Sequence, residues 1–99
     1  MIYRIEYSPE SEDHLLALTA RDRVIVLDAV EEQLAHQPTT ETRHRKLLRP
    51  NPLAPWELRI GNLRVYYDVE DDPERVVHVR AVGVKDHNAL RIGGRTFSL

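Results

Sequence analysis

The chain contains no cysteine. Thiolate catalysis, disulfide staples and cysteine-held metals are thereby excluded. Long apolar runs are missing as well. Stretches such as Val24 to Leu27 are short, far from the roughly 18 residues that suggest a membrane span. The opening residues lack a basic region followed by an apolar core, so no secretory signal is expected and a soluble cytoplasmic protein is. There is no internal repeat, no low-complexity segment and no glycine-rich phosphate loop between a strand and a helix. His14, His36, His44 and His78 have no metal-ligand spacing. Neither a metal nor a small-molecule cofactor is expected.

What is present is a chain of 99 residues, 30% charged and 41% apolar. That length suits one domain spanning residues 1–99 and leaves no room for two stable cores. The net charge of −2 hides an uneven distribution. Residues 1–42 hold three Lys/Arg against nine Asp/Glu, and residues 43–67 hold six against one. Residues 68–99 hold five against six. A basic middle on an acidic chain points to a localised anion-binding site. Strong general affinity for nucleic acid would need a basic protein or a large basic face.

Residues 2–7 are β-branched and aromatic, which predicts a first strand. Ser8 and Pro9 then supply an N-cap and a first helical residue, predicting a helix to about Leu18 with Leu15, Leu16 and Leu18 on its buried side. Thr19 caps a second helix, with Val24, Leu27, Val30 and Leu34 as its apolar stripe, Ile25 broadening it, and Pro38 ending it. Residues 37–55 carry Pro38, Pro50, Pro52 and Pro55 and read as a long connection bearing Arg43, Arg45, Lys46 and Arg49. Strands are expected at Trp56 to Ile60 and Leu63 to Val69 around the Gly61-Asn62 turn, and at Val76 to Val84. The last is nearly all apolar and is expected at the sheet centre. The tail, residues 85–99, stays open between helix, strand and neither. The order β-α-α-β-β-β describes an α+β domain with a helical hairpin packed on a small, mainly antiparallel sheet.

Strand alternation puts Glu57 and Arg59 on one face of the first hairpin strand, opposite Trp56, Leu58 and Ile60. On the next strand Arg64, Tyr66 and Asp68 share a face. Glu57, Arg59, Arg64 and Tyr66 thus form one polar surface, which Lys85 and His87 can approach from the third strand. Arginine clamps phosphate well but exchanges protons poorly. A plain alternative is a solvated face of salt bridges, with Arg64 paired to Asp68 or Glu57.

Arg45-Lys46-Leu47-Leu48-Arg49, the run Trp56-Glu57-Leu58-Arg59-Ile60-Gly61-Asn62-Leu63-Arg64-Val65-Tyr66-Tyr67-Asp68-Val69, and Val79-Arg80-Ala81-Val82-Gly83 together resemble the RelE/ParE toxin superfamily of bacterial toxin–antitoxin modules. The resemblance spans residues 2 to about 87. It implies the fold read above, a cognate antitoxin partner, and one of two activities. RelE-like members cut mRNA in the ribosomal A site without metal; ParE-like members poison DNA gyrase. Carried over by position, Arg64 matches the family arginine that holds the scissile phosphate. Arg59 and Lys85 match further basic positions. Glu57 stands where well-known ribosome-dependent members have a lysine, and Arg91 where they have a catalytic tyrosine. Glu57 as base, His87 as acid and the Arg59, Arg64 and Lys85 cations are the expected catalytic set. Arg43, Arg45, Lys46, Arg49 and Tyr66 are the expected RNA contacts. The leading expectation is a ribosome-dependent mRNA endoribonuclease that inhibits translation. A gyrase poison and a non-catalytic antitoxin-binding relative are the alternatives.

Overall fold

Two capped helices follow from two hydroxyl residues. In the computed structural model, which describes residues 2–97, Ser8 accepts from the Ser11 amide at 3.0 Å and Thr19 from the Asp22 amide at 3.1 Å. Each side chain satisfies an amide that the first turn leaves without a carbonyl. Helix α1 runs Pro9–Leu16 and α2 runs Ala20–Leu34. Arg23 of α2 reaches back to the end of α1, its Nε donating to the Leu15 carbonyl at 3.0 Å. A cation is thereby placed on carbonyls that carry the negative end of the α1 dipole.

The strands are β1 (Arg4–Tyr7), β2 (Arg45–Leu47), β3 (Trp56–Ile60), β4 (Leu63–Glu70), β5 (Val76–Asp86), β6 (Ala89–Ile92) and β7 (Arg95–Phe97). They form one seven-stranded sheet in the order β2-β3-β4-β5-β6-β7, with β1 also on β5. The β1–β5 pair is parallel and every other pair is antiparallel. The α+β class, the helical hairpin and the central place of β5 agree with the sequence pattern. The sheet is larger than expected. Part of the basic connection is strand β2, and the tail makes the β6–β7 hairpin. Met1 and the tail's last two residues lie outside the described residues.

Three two-residue turns build this meander. Gly61 alone has positive φ in the β3–β4 turn, at 58°, as a II′ turn requires at its first position. His87 and Asn88 both have positive φ, as do Gly93 and Gly94, the pattern of I′ turns. Gly83 has a different reason to be glycine. A Cβ there would lie 2.5 Å from the Arg91 carbonyl oxygen, so β6 can approach β5 only because the side chain is absent.

The sheet is covered on both faces. Val26, Val30 and Leu34 of α2 and Leu15 of α1 pack on Trp56, Leu58, Leu63, Val65, Tyr67, Val77, Val79 and Val82. Trp56 and Tyr67 stack with ring centroids 6.1 Å apart. The Tyr67 hydroxyl donates to the Pro38 carbonyl at 2.6 Å, which ties the chain after α2 to the sheet. On the other face, Ala54, Tyr66, Ala81, Leu90 and Ile92 form a second cluster, joined by Leu48, Leu53 and Phe97. That two-sided burial explains the nearly unbroken apolar run in β5.

The helix stripes differ from the expected ones by a rotation. Leu16 and Val24 are exposed, at 68% and 57%, and Leu18 and Leu27 are only half-buried. The buried stripe of α2 is Val26, Val30 and Leu34, spaced by four residues. A short α1 crossing the sheet presents one position fully, Leu15, with the small Ser11 a turn earlier.

Strand β5 pairs with β1 through Val79 and with β6 from Gly83 onward, on the same edge. Between them, the Ser8 hydroxyl donates to the Arg80 carbonyl at 3.3 Å and His14 Nδ1 accepts from the Val82 amide at 3.3 Å. His14 must be unprotonated on Nδ1 to do this. Burial lowers its pKa, against a smaller opposite pull from Asp13 and Glu10. The unfolded histidine, titrating near 6.5, therefore binds its proton first as pH falls, and acid favours unfolding. This part of the stability is present above that value and is lost as pH drops through it toward the lower folded value. The expected outcome is a thermal midpoint that falls between about pH 7.5 and about 5.5. His14→Asn, whose side-chain oxygen accepts without titrating, should flatten the fall. An unchanged slope in that variant would place the sensitivity elsewhere.

Candidate functional site

The register of the β3–β4 hairpin stacks charges in rows. Lys46 stands opposite Glu57, which stands opposite Tyr66, and Arg59 stands directly opposite Arg64. Residues opposite one another share a face, so the expected grouping of Glu57, Arg59, Arg64 and Tyr66 is realised. The face is not an open surface. The loop around Leu48 and the β6–β7 hairpin rise over it and leave a cleft of about 440 Å³. Glu57, Arg59, Tyr66 and Lys85 line it, walled by Leu48, Leu90, Thr96 and Phe97 and bordered by Asn88 and Ala89.

Glu57 is the node of this cleft. It is only 5% exposed, and a carboxylate so placed needs partners. Its Oε1 lies 2.6 Å from Arg59 Nε, and its Oε2 accepts from the Tyr66 hydroxyl at 2.9 Å. The Arg59 side chain remains 43% exposed, with its terminal nitrogens turned to no protein acceptor among the described residues. Tyr66 is held protonated: burial raises its pKa first, then the charge and hydrogen bond of Glu57. The cleft thus offers one carboxylate, one guanidinium edge and one ammonium.

Other expected residues are placed differently. Arg64 is half-buried, and its Nη1 donates to the carbonyls of Gly61 and Leu63 at 2.7 and 2.8 Å. It braces the β3–β4 turn, and its buried Nε has no partner among the described residues. Tyr66 is 1% exposed; its covered ring offers no face to a base, which corrects the expected stacking contact. His87 sits at the β5–β6 turn with its side chain 96% exposed, 3.4 Å from Asp86. It does not line the cleft, so it is not brought to Glu57 as an acid. Arg91 pairs across from Val84, on the helix side of the sheet, and lines a separate cavity with His14. It therefore stands on the face opposite Glu57.

Within the basic connection, Arg43 and Arg49 are exposed and Lys46 is half-buried. Arg45 contradicts expectation. It is 8% exposed, with Nε donating to the Thr40 carbonyl at 2.8 Å and Nη1 to the Gln33 carbonyl and Oε1 at 2.9 Å each. Its partners are the carbonyls that follow and end α2, not an external anion. Asn51 was not singled out by sequence, yet it organises the loop over the cleft. Its Nδ2 donates to the carbonyls of Arg49 and Ala54, and its Oδ1 accepts from the amides of Leu53 and Ala54. An asparagine between two prolines was the available signal. Thr96 and Phe97 were missed because the tail was unassigned.

No protein-family model matches the chain, and no curated protein does. Among solved structures, a chain of the toxin–antitoxin complex RelBE2 from Mycobacterium tuberculosis is similar. The TM-score is 0.71 at 22% identity, covering 83% of this chain and 96% of that chain. The likeness establishes a RelE-like α+β fold, two helices on a mostly antiparallel sheet.

The Arg45 geometry has a direct consequence. Arg45→Ala should cost roughly 2–3 kcal/mol of stability by leaving buried carbonyls unpaired, measured by urea unfolding. Arg49→Ala should change stability little. Equal effects from the two would mean that the Arg45 bonds contribute nothing.

Proposed function

We propose that this chain is the toxin of a toxin–antitoxin pair and that it cuts mRNA on the ribosome without metal. The observation that carries the reading is the meeting of one carboxylate with the Arg59 and Lys85 cations in one cleft. The RelE-like fold and a structural neighbour that is a toxin–antitoxin complex support it.

In this reading a phosphate binds the free edge of Arg59, beside Glu57. Glu57 takes the proton from the ribose 2′-hydroxyl, and the 2′-oxygen attacks phosphorus. The bond to the 5′-oxygen breaks, leaving a cyclic phosphate on one fragment. Lys85, which lines the cleft where His87 does not, gives its proton to the departing 5′-oxygen. Arg59 stabilises the phosphorane charge, and Arg64 joins it from the facing strand by leaving the turn carbonyls. Arg43, Lys46 and Arg49 supply unspecific contacts to ribosomal RNA. The exposed Leu16 and Val24 on the helices are apolar anchors for an antitoxin segment. Ribosomes place this activity in the cytoplasm.

A second reading has its own observation. Arg64 is already engaged with its turn, which suits a protein that binds a target, such as gyrase, without cleaving RNA. Primer extension on an mRNA translated in a reconstituted system separates the two. Cuts that require ribosomes are expected, reduced by about 100-fold or more in Arg64→Ala and in Glu57→Gln. Intact mRNA with folded protein would remove the nuclease reading and direct the next assay to gyrase supercoiling.

A further inference from the structure

The Tyr66 hydroxyl is buried beneath the cleft, where it cannot meet a substrate base, and it is nonetheless bonded to the one carboxylate there. Resting on the nuclease reading, we infer that Tyr66 is a positioning residue that fixes the Glu57 carboxylate for catalysis.

A glutamate has three side-chain torsions, and only a carboxylate held in one orientation presents the same oxygen to each substrate. Glu57 is held at both ends. Arg59 takes Oε1 at 2.6 Å and Tyr66 takes Oε2 at 2.9 Å. Arg59 is a half-exposed partner on the same strand, two residues away, and in the nuclease reading its free edge also serves the phosphate. Tyr66 is the fixed partner. Its ring packs with Ala54, Ala81, Leu90 and Ile92, and it stands across the β3–β4 ladder in register with Glu57. With Arg59 shared between Glu57 and a phosphate, the Tyr66 bond is what keeps the carboxylate in place.

Lys46 across β2, Arg59 on β3, Arg64 on β4 and Lys85 on β5 surround Glu57, with Asp68 further along the same face of β4. Burial raises the Tyr66 pKa, so the donor stays protonated across the working range.

Tyr66→Phe removes the hydroxyl and keeps the ring, so the apolar cluster stays filled. Cleavage should lose about tenfold in kcat with KM unchanged, the result expected when the base is less well oriented and binding is untouched. In a Glu57→Gln background, Tyr66→Phe should leave the residual rate unchanged, because it acts through the carboxylate. An unchanged kcat in folded Tyr66→Phe overturns the inference and leaves Tyr66 as packing. A rate loss that persists in the Glu57→Gln background overturns it too. Failure of the nuclease reading shows separately, as no cleavage by the wild-type protein at any pH.

Discussion

Strand β5 is the constraint on which the rest depends. It is buried on both faces and paired along both edges, so almost every other element takes its position from it. One edge holds β4 throughout. The other is divided between a parallel β1 and an antiparallel β6. Strands of opposite direction cannot continue one another without a gap, and the gap falls at residues 80–82. Ser8 and His14, both from the α1 segment, supply its hydrogen bonds. The first helix is therefore a repair of the sheet edge as well as a cover for the core. Buried backbone groups seldom go without partners, and here side chains do what a strand would.

The same strand decides where the cleft lies. Because Gly83 carries no side chain, β6 comes close to β5 there, and the hairpin it starts forms one wall of the cleft that holds Glu57. That face would otherwise be a flat patch of like charges. Arg59 opposite Arg64 is unfavourable by itself. Glu57 offsets part of the repulsion by bonding Arg59, and the Gly61 and Leu63 carbonyls offset another part by holding Arg64. With Glu57 among Lys46, Arg59, Arg64 and Lys85, the cleft keeps a positive excess that an outside anion can offset.

How much of this could be read from residues depends on which physical signal each element leaves. Ser8 and Thr19 mark helix starts by local chemistry, and Gly61-Asn62 marks a turn by φ, so these were legible. Alternation fixed the shared face of Glu57 and Arg59, since strand period is a two-residue property. The exposure of that face was not legible, because what covers it comes from residues 48–54 and 89–97, distant in sequence. Asn88 adopts positive φ readily, but His87 in the same conformation left no such signal, so the β6 hairpin went unseen. Arg45 failed for a related reason. A buried arginine and a phosphate-binding arginine look alike until the carbonyls of Gln33 and Thr40 are placed around one of them. The helix stripes failed by rotation, because Val24 and Val26 both fit a helical period and only packing on the sheet chooses between them.

A site made only of cations would hold DNA and RNA alike, since phosphate is common to both. Glu57 changes that balance. A carboxylate beside a bound phosphate adds repulsion unless the nucleic acid brings a donor to it. The ribose 2′-hydroxyl is such a donor, and DNA has none. Under the nuclease reading, the acidic residue that departs from the resemblance is thus what makes the sugar matter. The carboxylate gains a hydrogen bond with RNA and only a repulsion with DNA. Binding discrimination and chemistry then reside in the same two oxygens, held between a half-exposed arginine and a buried tyrosine.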